Sequence, residues 1–168
     1  MNILIAVASK HGSTREIADA IAQELRAAGH TAEVRNAKEA LTVSRYDVVI
    51  VGSGVYAGNW LPEARQYVEQ NRERFASIPV WLFSSGPLGE DPQPKGDPEG
   101  LDKLMEQTGA RGHQIFVGRL DKSQLGLGER LIVRVVKAPE GDFRDWDAIR
   151  AWAREIAAAV ETPNGKSV

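Results

Sequence analysis

The chain has 168 residues, no cysteine and a formal net charge of −2. A chain of this length can bury a sizeable core without disulfides or a structural metal, and the lack of cysteine excludes disulfide, thiol and zinc–thiolate chemistry. The near-neutral charge gives no global attraction to nucleic acid or anionic membranes, and no apolar run is long enough to span a bilayer. We therefore expect one cytoplasmic domain over residues 1–161 with no nucleic-acid partner, followed by a disordered polar tail over residues 162–168.

Strand and helix patterns alternate along the chain. Apolar runs predict strands at Ile3–Ala8, Asp47–Val51, Val80–Phe83 and Gln114–Val117, and a short, less buried strand is expected at Thr31–Arg35. Helical periodicity predicts helices over Thr14–Ala28, from Pro62, around Leu101–Met105 and over Asp145–Val160. This alternation is typical of an α/β fold whose open parallel sheet binds ligands beyond the carboxyl ends of its strands.

The segment between the first strand and the first helix has the composition of a phosphate-binding turn. It comprises Ser9, Lys10, His11, Gly12, Ser13 and Thr14. The first N–H groups of a helix lack intrahelical partners, and the helix dipole favours an anion there. The hydroxyls and His11 can add donors, and Gly12 lets the backbone approach an anion closely.

A terminal monophosphate fits this turn better than a nucleoside triphosphate does. The one lysine of the turn, Lys10, precedes the glycine, whereas a P-loop places its lysine after the glycine. The alternative is a plain strand-to-helix turn whose hydroxyls cap the helix.

Two further segments follow the third and fourth predicted strands and are expected at the same sheet edge as loops. The first runs from Gly52 to Trp60 and contains Ser53, Gly54, Val55, Tyr56, Ala57 and Gly58. The second contains Ser85, Gly86, Pro87, Leu88 and Gly89. Tyr56 or Trp60 is available to stack on a flat ligand, and the tight second turn offers backbone groups to a heterocycle edge. The alternatives are internal packing of the aromatic rings and a simple surface turn.

The run Gly52–Ala57 also matches the glycine pattern of a dinucleotide-binding turn. That pattern requires a helix to begin within the motif, whereas Pro62 is the first residue suited to open one. We therefore expect no dinucleotide site here.

The segment Leu120–Ala138 contains an amphipathic basic element, for which a helix is favoured and a strand is the alternative. Its apolar side has Leu131, Ile132, Val135 and Val136, and its basic side has Arg130, Arg134 and Lys137. Burying four apolar side chains is worth roughly 6–12 kcal/mol, against about 3 kcal/mol for three basic residues at an anionic surface. We therefore expect the apolar side to be buried, with peripheral membrane contact as the less favoured alternative.

No catalytic residue and no metal site are expected from the sequence. It contains no nucleophile elbow, and its three histidines lack the spacing of metal ligands. His30 and His113 are expected at the surface, beside strands.

Three segments together resemble the flavodoxin-like fold, and more closely the flavodoxin-domain proteins related to menaquinone-dependent protoporphyrinogen oxidase. They are Ser9–Ala18, Gly52–Gly58 and a C-terminal set made of Asp145, Trp146, Ile149 and Trp152–Ala157. The resemblance implies a three-layer fold with a five-stranded parallel sheet in the order 2-1-3-4-5 and helices on both faces. It also implies FMN as the cofactor, with its phosphate on Ser9–Thr14 and its isoalloxazine between Ser53–Gly58 and Ser85–Gly89.

The resulting functional prediction is an FMN protein acting in electron transfer or as a small flavin-dependent oxidoreductase, because the flavin itself carries the redox chemistry. Its partner would be a redox protein or a small-molecule or quinone acceptor. The chain is less acidic than typical electron carriers, and Leu120–Phe143 differs from the long basic insert of the quinone-dependent oxidases. The alternatives are a protoporphyrinogen-type oxidase and a flavin-free interaction module. A phosphoacceptor receiver domain is disfavoured because Gly52 and Ser53 follow the third strand.

Overall fold

The computed structural model describes residues 1–40, 43–86, 97–135 and 140–162, and gives the backbone alone at 122, 132, 133 and 135. The strands are β1 (Asn2–Ala8), β2 (Thr31–Asn36), β3 (Val48–Tyr56), β4 (Asn59–Trp60), β5 (Val80–Ser85), β6 (His113–Phe116), β7 (Arg119–Leu120) and β8 (Gly141–Asp142). The helices are α1 (Ser13–Ala27), α2 (Pro62–Gln70), α3 (Arg72–Phe75), α4 (Leu101–Thr108), α5 (Leu127–Val135) and α6 (Trp146–Glu161). The predicted alternation of strands and helices is confirmed.

Five parallel strands form the central sheet in the order β2-β1-β3-β5-β6. Strand β1 lies between β2 and β3, with Ile5 opposite Val34 on one side and Ile50 on the other. Strand β4 joins the sheet only by antiparallel pairing with the end of β3. The predicted order of the five parallel strands is therefore confirmed.

The two faces of the sheet carry separate cores, as expected for central parallel strands whose side chains alternate between faces. Ile3 and Ile5 of β1 pack with side chains of α1 and α6. Leu4 and Ala6 point to the opposite face and pack with side chains of α2, α3 and α4. These two cores produce the three layers that the sequence predicts.

Strand β3 continues to Tyr56, so the prediction of a loop from Gly52 to Trp60 is wrong for most of that segment. The strand turns back through Ala57 and Gly58 into β4, and these two residues have φ values of 48° and 79°. Two central residues with positive φ are the hairpin geometry that suits the natural twist of strands. No helix begins between the end of β3 and Pro62, so the glycine pattern lacks the helix start that a dinucleotide-binding turn requires.

Packing across the sheet explains the glycine at position 52. A Cβ at Gly52 would lie 2.0 Å from Cζ of Phe83. The Phe83 ring is fully buried, and its centroid lies 6.1 Å from that of Phe116 and 6.2 Å from that of Trp152. The ring therefore occupies the space that a side chain at position 52 would need.

Replacing Gly52 by alanine should lower the free energy of unfolding by roughly 1–3 kcal/mol, because the added methyl group displaces Phe83 from its aromatic neighbours. The matched control is Gly112→Ala, whose Cβ would meet Trp81 Cδ1 at an ordinary 3.6 Å. We expect the control to stay within about 0.5 kcal/mol of the parent. Urea unfolding of both variants is the measurement, and equal stabilities would contradict this explanation.

Candidate functional site

The turn between β1 and α1 leaves the start of a helix without a side-chain cap. Gly12 precedes the helix with φ 86°, a conformation that side chains rarely adopt, and no side chain caps α1. Helix α6 shows the contrast, because the Asp145 carboxylate accepts the Ala148 N–H at 2.9 Å. The alternative interpretation, in which hydroxyls of the turn only cap α1, is therefore wrong.

Ser9 supplies a second unsatisfied group in the same turn. Its Oγ is buried and has no hydrogen-bond partner. A buried hydroxyl left without a partner costs about 1–3 kcal/mol. Thr14, in the first turn of α1, is also buried at 2% exposure. Hydroxyls and free N–H groups gathered at a helix start have the chemistry of an anion site.

Gly54 allows the end of β3 to approach this turn closely. A Cβ at Gly54 would lie 2.9 Å from the Tyr56 ring and 3.2 Å from Thr14 Oγ1. Tyr56 also lies edge-on to the His11 ring, with centroids 6.4 Å apart, and the Lys10 ammonium is 5.6 Å from its centroid. The structure thus brings together two segments that the sequence predicts to share one sheet edge.

Ser53 is used inside the fold rather than turned toward this cluster. The residue is fully buried, and its hydroxyl donates to the Gly54 carbonyl at 2.9 Å and accepts the Leu61 N–H at 3.0 Å. Its side chain therefore holds the hairpin of β3 and β4 against the start of α2. Val55, the next residue but one, is half-buried and pairs with Trp60 across the hairpin.

The prediction that Trp60 is available for stacking is wrong, because its ring is 1% exposed. Its indole N–H donates to Ser84 Oγ at 2.7 Å, and the same hydroxyl lies 2.8 Å from Nε2 of His113. Tyr56, which is half-buried, is the aromatic side chain of the hairpin that remains accessible.

Both histidines expected at the surface are more enclosed than predicted. The His113 ring contacts Ser84, and its burial lowers its pKa. The His30 side chain is only 6% exposed and lies 3.7 Å from the Glu161 carboxylate. The sequence prediction missed this because the contacting elements are distant along the chain.

The segment after β5 begins close to β6. Ser85 is buried, and the N–H of Gly86, whose φ is 121°, donates to the Phe116 carbonyl at 2.9 Å. The predicted ligand residues Pro87, Leu88 and Gly89 lie outside the described residues. At the sheet edge the structure therefore places the turn between β1 and α1, the β3–β4 hairpin and the first residues of this segment.

Comparison with known proteins agrees with this arrangement, since the family model of the flavodoxin domain matches residues 4–147. The chain belongs to this family. Its sheet is that of a flavodoxin domain, and the sequence-based resemblance is confirmed at the level of the family.

Relatives of this flavodoxin domain include protoporphyrinogen IX dehydrogenase (quinone) of Escherichia coli strain K12. The two are 24% identical over 181 residues, which cover 99% of this chain and 100% of that protein. A flavodoxin from the domain Archaea has a TM-score of 0.64 at 16% identity, with 96% of this chain and 100% of that one covered. Rubredoxin oxygen:oxidoreductase of Desulfovibrio gigas has a TM-score of 0.62 at 16% identity, with 95% of this chain but only 36% of that one covered.

A buried arginine fastens the small β7–β8 sheet to the start of α1 in this flavodoxin domain. The Arg144 side chain is 2% exposed and lies 2.7 Å from the Glu16 carboxylate and 2.6 Å from that of Asp142. It also donates to the Ser13 carbonyl at 3.2 Å and stacks 4.5 Å from the Trp146 ring centroid. Arg144 raises no signal in the sequence, because Glu16 lies 128 residues away.

Helix α5 confirms the predicted helix within Leu120–Ala138, but the prediction that Leu131 is buried is wrong. Leu131 is 64% exposed, and Leu127 in the same helix is 88% exposed. The side chains of Ile132, Val135 and Val136 lie outside the described part of the structure. The apolar area that was expected to pack on the domain is thus at least partly in solvent.

Glu129 of α5 contacts the turn between β1 and α1, a contact that the sequence does not predict. Its Oε1 pairs with the Lys10 ammonium and lies 3.2 Å from Nε2 of His11. Its Oε2 accepts the Gly126 N–H at 2.9 Å. The Lys10 ammonium, and after it the Gly126 N–H, lower the pKa of Glu129 to about 2, so this carboxylate is charged at neutral pH.

Among the residues that the structure describes, no three or more acidic or histidine side chains are grouped so that they could hold a metal ion. None of the helices in the same part of the chain has the length and apolar character needed to cross a bilayer.

Replacing Arg144 by methionine should lower the free energy of unfolding by about 2 kcal/mol, because the exchange leaves Glu16 and Asp142 without their shared cation. The matched control is Arg150→Met, whose side chain is 44% exposed and pairs with Asp147 at 3.4 Å. The control should change stability by less than about 0.5 kcal/mol. Urea unfolding compares them, and equal effects of the two exchanges would show that Arg144 is not an anchor.

Proposed function

We propose that this flavodoxin-domain protein binds FMN and acts in electron transfer or as a small flavin-dependent oxidoreductase. The observation that carries the proposal is the buried, unpartnered hydroxyl of Ser9 in a turn that precedes an uncapped helix. FMN ends in one phosphate, and the chain offers one turn of this kind among its described residues. The family match supports the same cofactor.

In this proposal the phosphate is held by the turn between β1 and α1. The ligand groups are the N–H groups at the start of α1 and the side chains of Ser9, Ser13 and Thr14, with Lys10 and His11 beside them. Gly12 supplies the left-handed backbone that lets these groups surround one anion. These donors require no metal ion, because they complement the anion directly.

The ring of the cofactor would lie at the β3–β4 hairpin, bordered by Ser85 and Gly86. Tyr56 offers an accessible aromatic face, and the turn of Ala57 and Gly58 offers backbone groups. The turn is held in place because the Gly58 carbonyl accepts the Glu99 N–H at 2.8 Å. Ala57 keeps its positive φ at a cost of about 1 kcal/mol, which indicates that the surrounding contacts fix this turn.

When bound, FMN supplies reversible one- and two-electron chemistry. The part played by the chain is to fix the phosphate, to border the ring with backbone groups and to keep one edge of the site accessible to a partner. The proposed partner is a redox protein or a small-molecule or quinone acceptor. No side chain is assigned a role as acid, base or nucleophile.

Quinone-linked oxidation is a second candidate function, and two observations favour it. The relative from Escherichia coli aligns over its full length with this chain. Leu127 and Leu131 are exposed beside the basic side chains Arg130 and Arg134. Because Leu131 is exposed, burial of its side chain in the domain does not offset the attraction of the basic side chains to an anionic membrane. Salt-sensitive cosedimentation with anionic vesicles would favour this candidate.

The purified protein should release FMN, and neither FAD nor a nicotinamide dinucleotide, when it is denatured. The reason is that the described residues contain a single phosphate-sized turn and no second loop for a pyrophosphate. Chromatography of the released ligand and titration of the apoprotein with FMN are the measurements. Release of FAD, or an apoprotein that does not take up FMN, would refute the proposed cofactor.

Replacing Thr14 by alanine should weaken FMN binding by roughly 1–3 kcal/mol, the range for a hydrogen bond to a charged group. Gly12→Val should weaken it further, because valine does not tolerate the φ of 86° at this position. Fluorescence titration measures both affinities. Riboflavin, which has no phosphate, is the control ligand, and its affinity should not change. Unchanged FMN affinities in folded variants would place the phosphate elsewhere.

A further inference from the structure

Few of the described side chains hold helix α5 to the domain. Among those of its side chains that the structure describes, only that of Glu129 is half-buried. The exposed ones are Leu127, Arg130, Leu131 and Arg134. The contact of Glu129 with Lys10 and His11 is therefore the polar attachment that links this helix to the phosphate turn.

The two carboxylate oxygens of Glu129 have different partners. Oε2 accepts the N–H of Gly126, the residue that precedes α5, as the glutamate of a capping box does. Oε1 faces Lys10 and His11. A glutamine at this position can keep the capping hydrogen bond but loses the charge, so the two roles can be separated by one substitution.

Lys10 and His11 belong to the turn that contains Ser9 and Gly12, so the carboxylate lies where an anionic ligand of this turn would find its basic side chains. A phosphate monoester carries more negative charge than a carboxylate and accepts stronger hydrogen bonds. Two anions at the same pair of cations repel each other and compete for the same donors.

Two attachments of the segment from β7 to Arg144 differ in strength. Arg144 is buried and contacts Ser13 and Glu16 at the start of α1, and Asp142 in β8. Lys10 and Glu129 are 48% and 25% exposed, and ion pairs at such exposure contribute only about 0–1 kcal/mol. A competing anion would therefore release α5 and leave the β7–β8 sheet in place.

We infer that Glu129 is a displaceable internal anion, which latches α5 onto the phosphate turn and is displaced when the phosphate group of the cofactor binds. Loading of the site and the release of α5 are then coupled. The identity of the ligand in this coupling, FMN, rests on the proposed function. The contact of Glu129 with Lys10 and His11 is present without any ligand.

Limited trypsin digestion of the flavin-free protein tests the latch. The readout is the rate of cleavage after Arg134, whose flanking residues the variants leave unchanged. Glu129→Gln should be cleaved there several-fold faster than the parent. The matched control is Glu24→Gln, because Glu24 is 23% exposed and also pairs with two basic side chains, Arg150 and Arg154, on α6. Equal rates for the parent and Glu129→Gln would overturn the inference.

Ligand additions test the competition. FMN should raise the cleavage rate of the parent toward that of Glu129→Gln, whereas riboflavin should not. Glu129→Gln should also bind FMN several-fold more tightly than the parent, with riboflavin affinity unchanged. Slower cleavage with FMN, or an equal or weaker FMN affinity of the variant, would overturn the inference.

Inorganic phosphate distinguishes failure of the latch from failure of the proposed cofactor. If the protein does not bind FMN, the proposed function fails, but phosphate should still accelerate cleavage after Arg134 relative to chloride at the same ionic strength. An absent response to phosphate in such a protein would overturn the latch as well.

Discussion

Helix α1 begins directly beyond the central strand without a side chain to cap it, so its first N–H groups need an acceptor that the helix does not supply. The surroundings are built around this requirement. Gly12 gives the backbone its direction, Gly54 lets β3 approach, and Ser9 adds a hydroxyl with no partner of its own. Among the described residues, no side chain caps α1 and no group pairs with the Ser9 hydroxyl, so the fold tolerates an energetic deficit that an anion can remove.

Arg144 and Lys10 both link distant parts of the chain to the start of α1, but by contacts of different strength. Arg144 is buried and reaches the start of α1 from the far end of the sequence, so it fixes the β7–β8 sheet. Lys10 lies in the turn itself and is half exposed, so its ion pair with Glu129 is weak and can be exchanged for another anion. Burial thus separates a permanent contact from an exchangeable one, although both are ion pairs.

The sequence predicted the strands, the helices and the turn after β1 because apolar runs, periodicity and helix signals are local, whereas the strand order was implied by the resemblance to flavodoxin-like proteins. It failed where the deciding contact is distant. Trp60 is buried because its partner Ser84 lies on another strand, and Arg144 is anchored by Glu16 from the first turn of α1. Leu131 was expected in the core because its apolar area was counted without knowing whether a neighbouring surface existed to cover it.

The contact of Phe83 with the backbone of Gly52 links two positions on neighbouring strands. The Phe83 ring fills the space that a side chain at position 52 would need. A larger side chain at position 52 therefore requires a smaller one at position 83. In related chains, a residue with a side chain at position 52 is therefore compatible with a small residue at position 83. The first glycine of the pattern that resembles a nucleotide motif is therefore required by packing in the core.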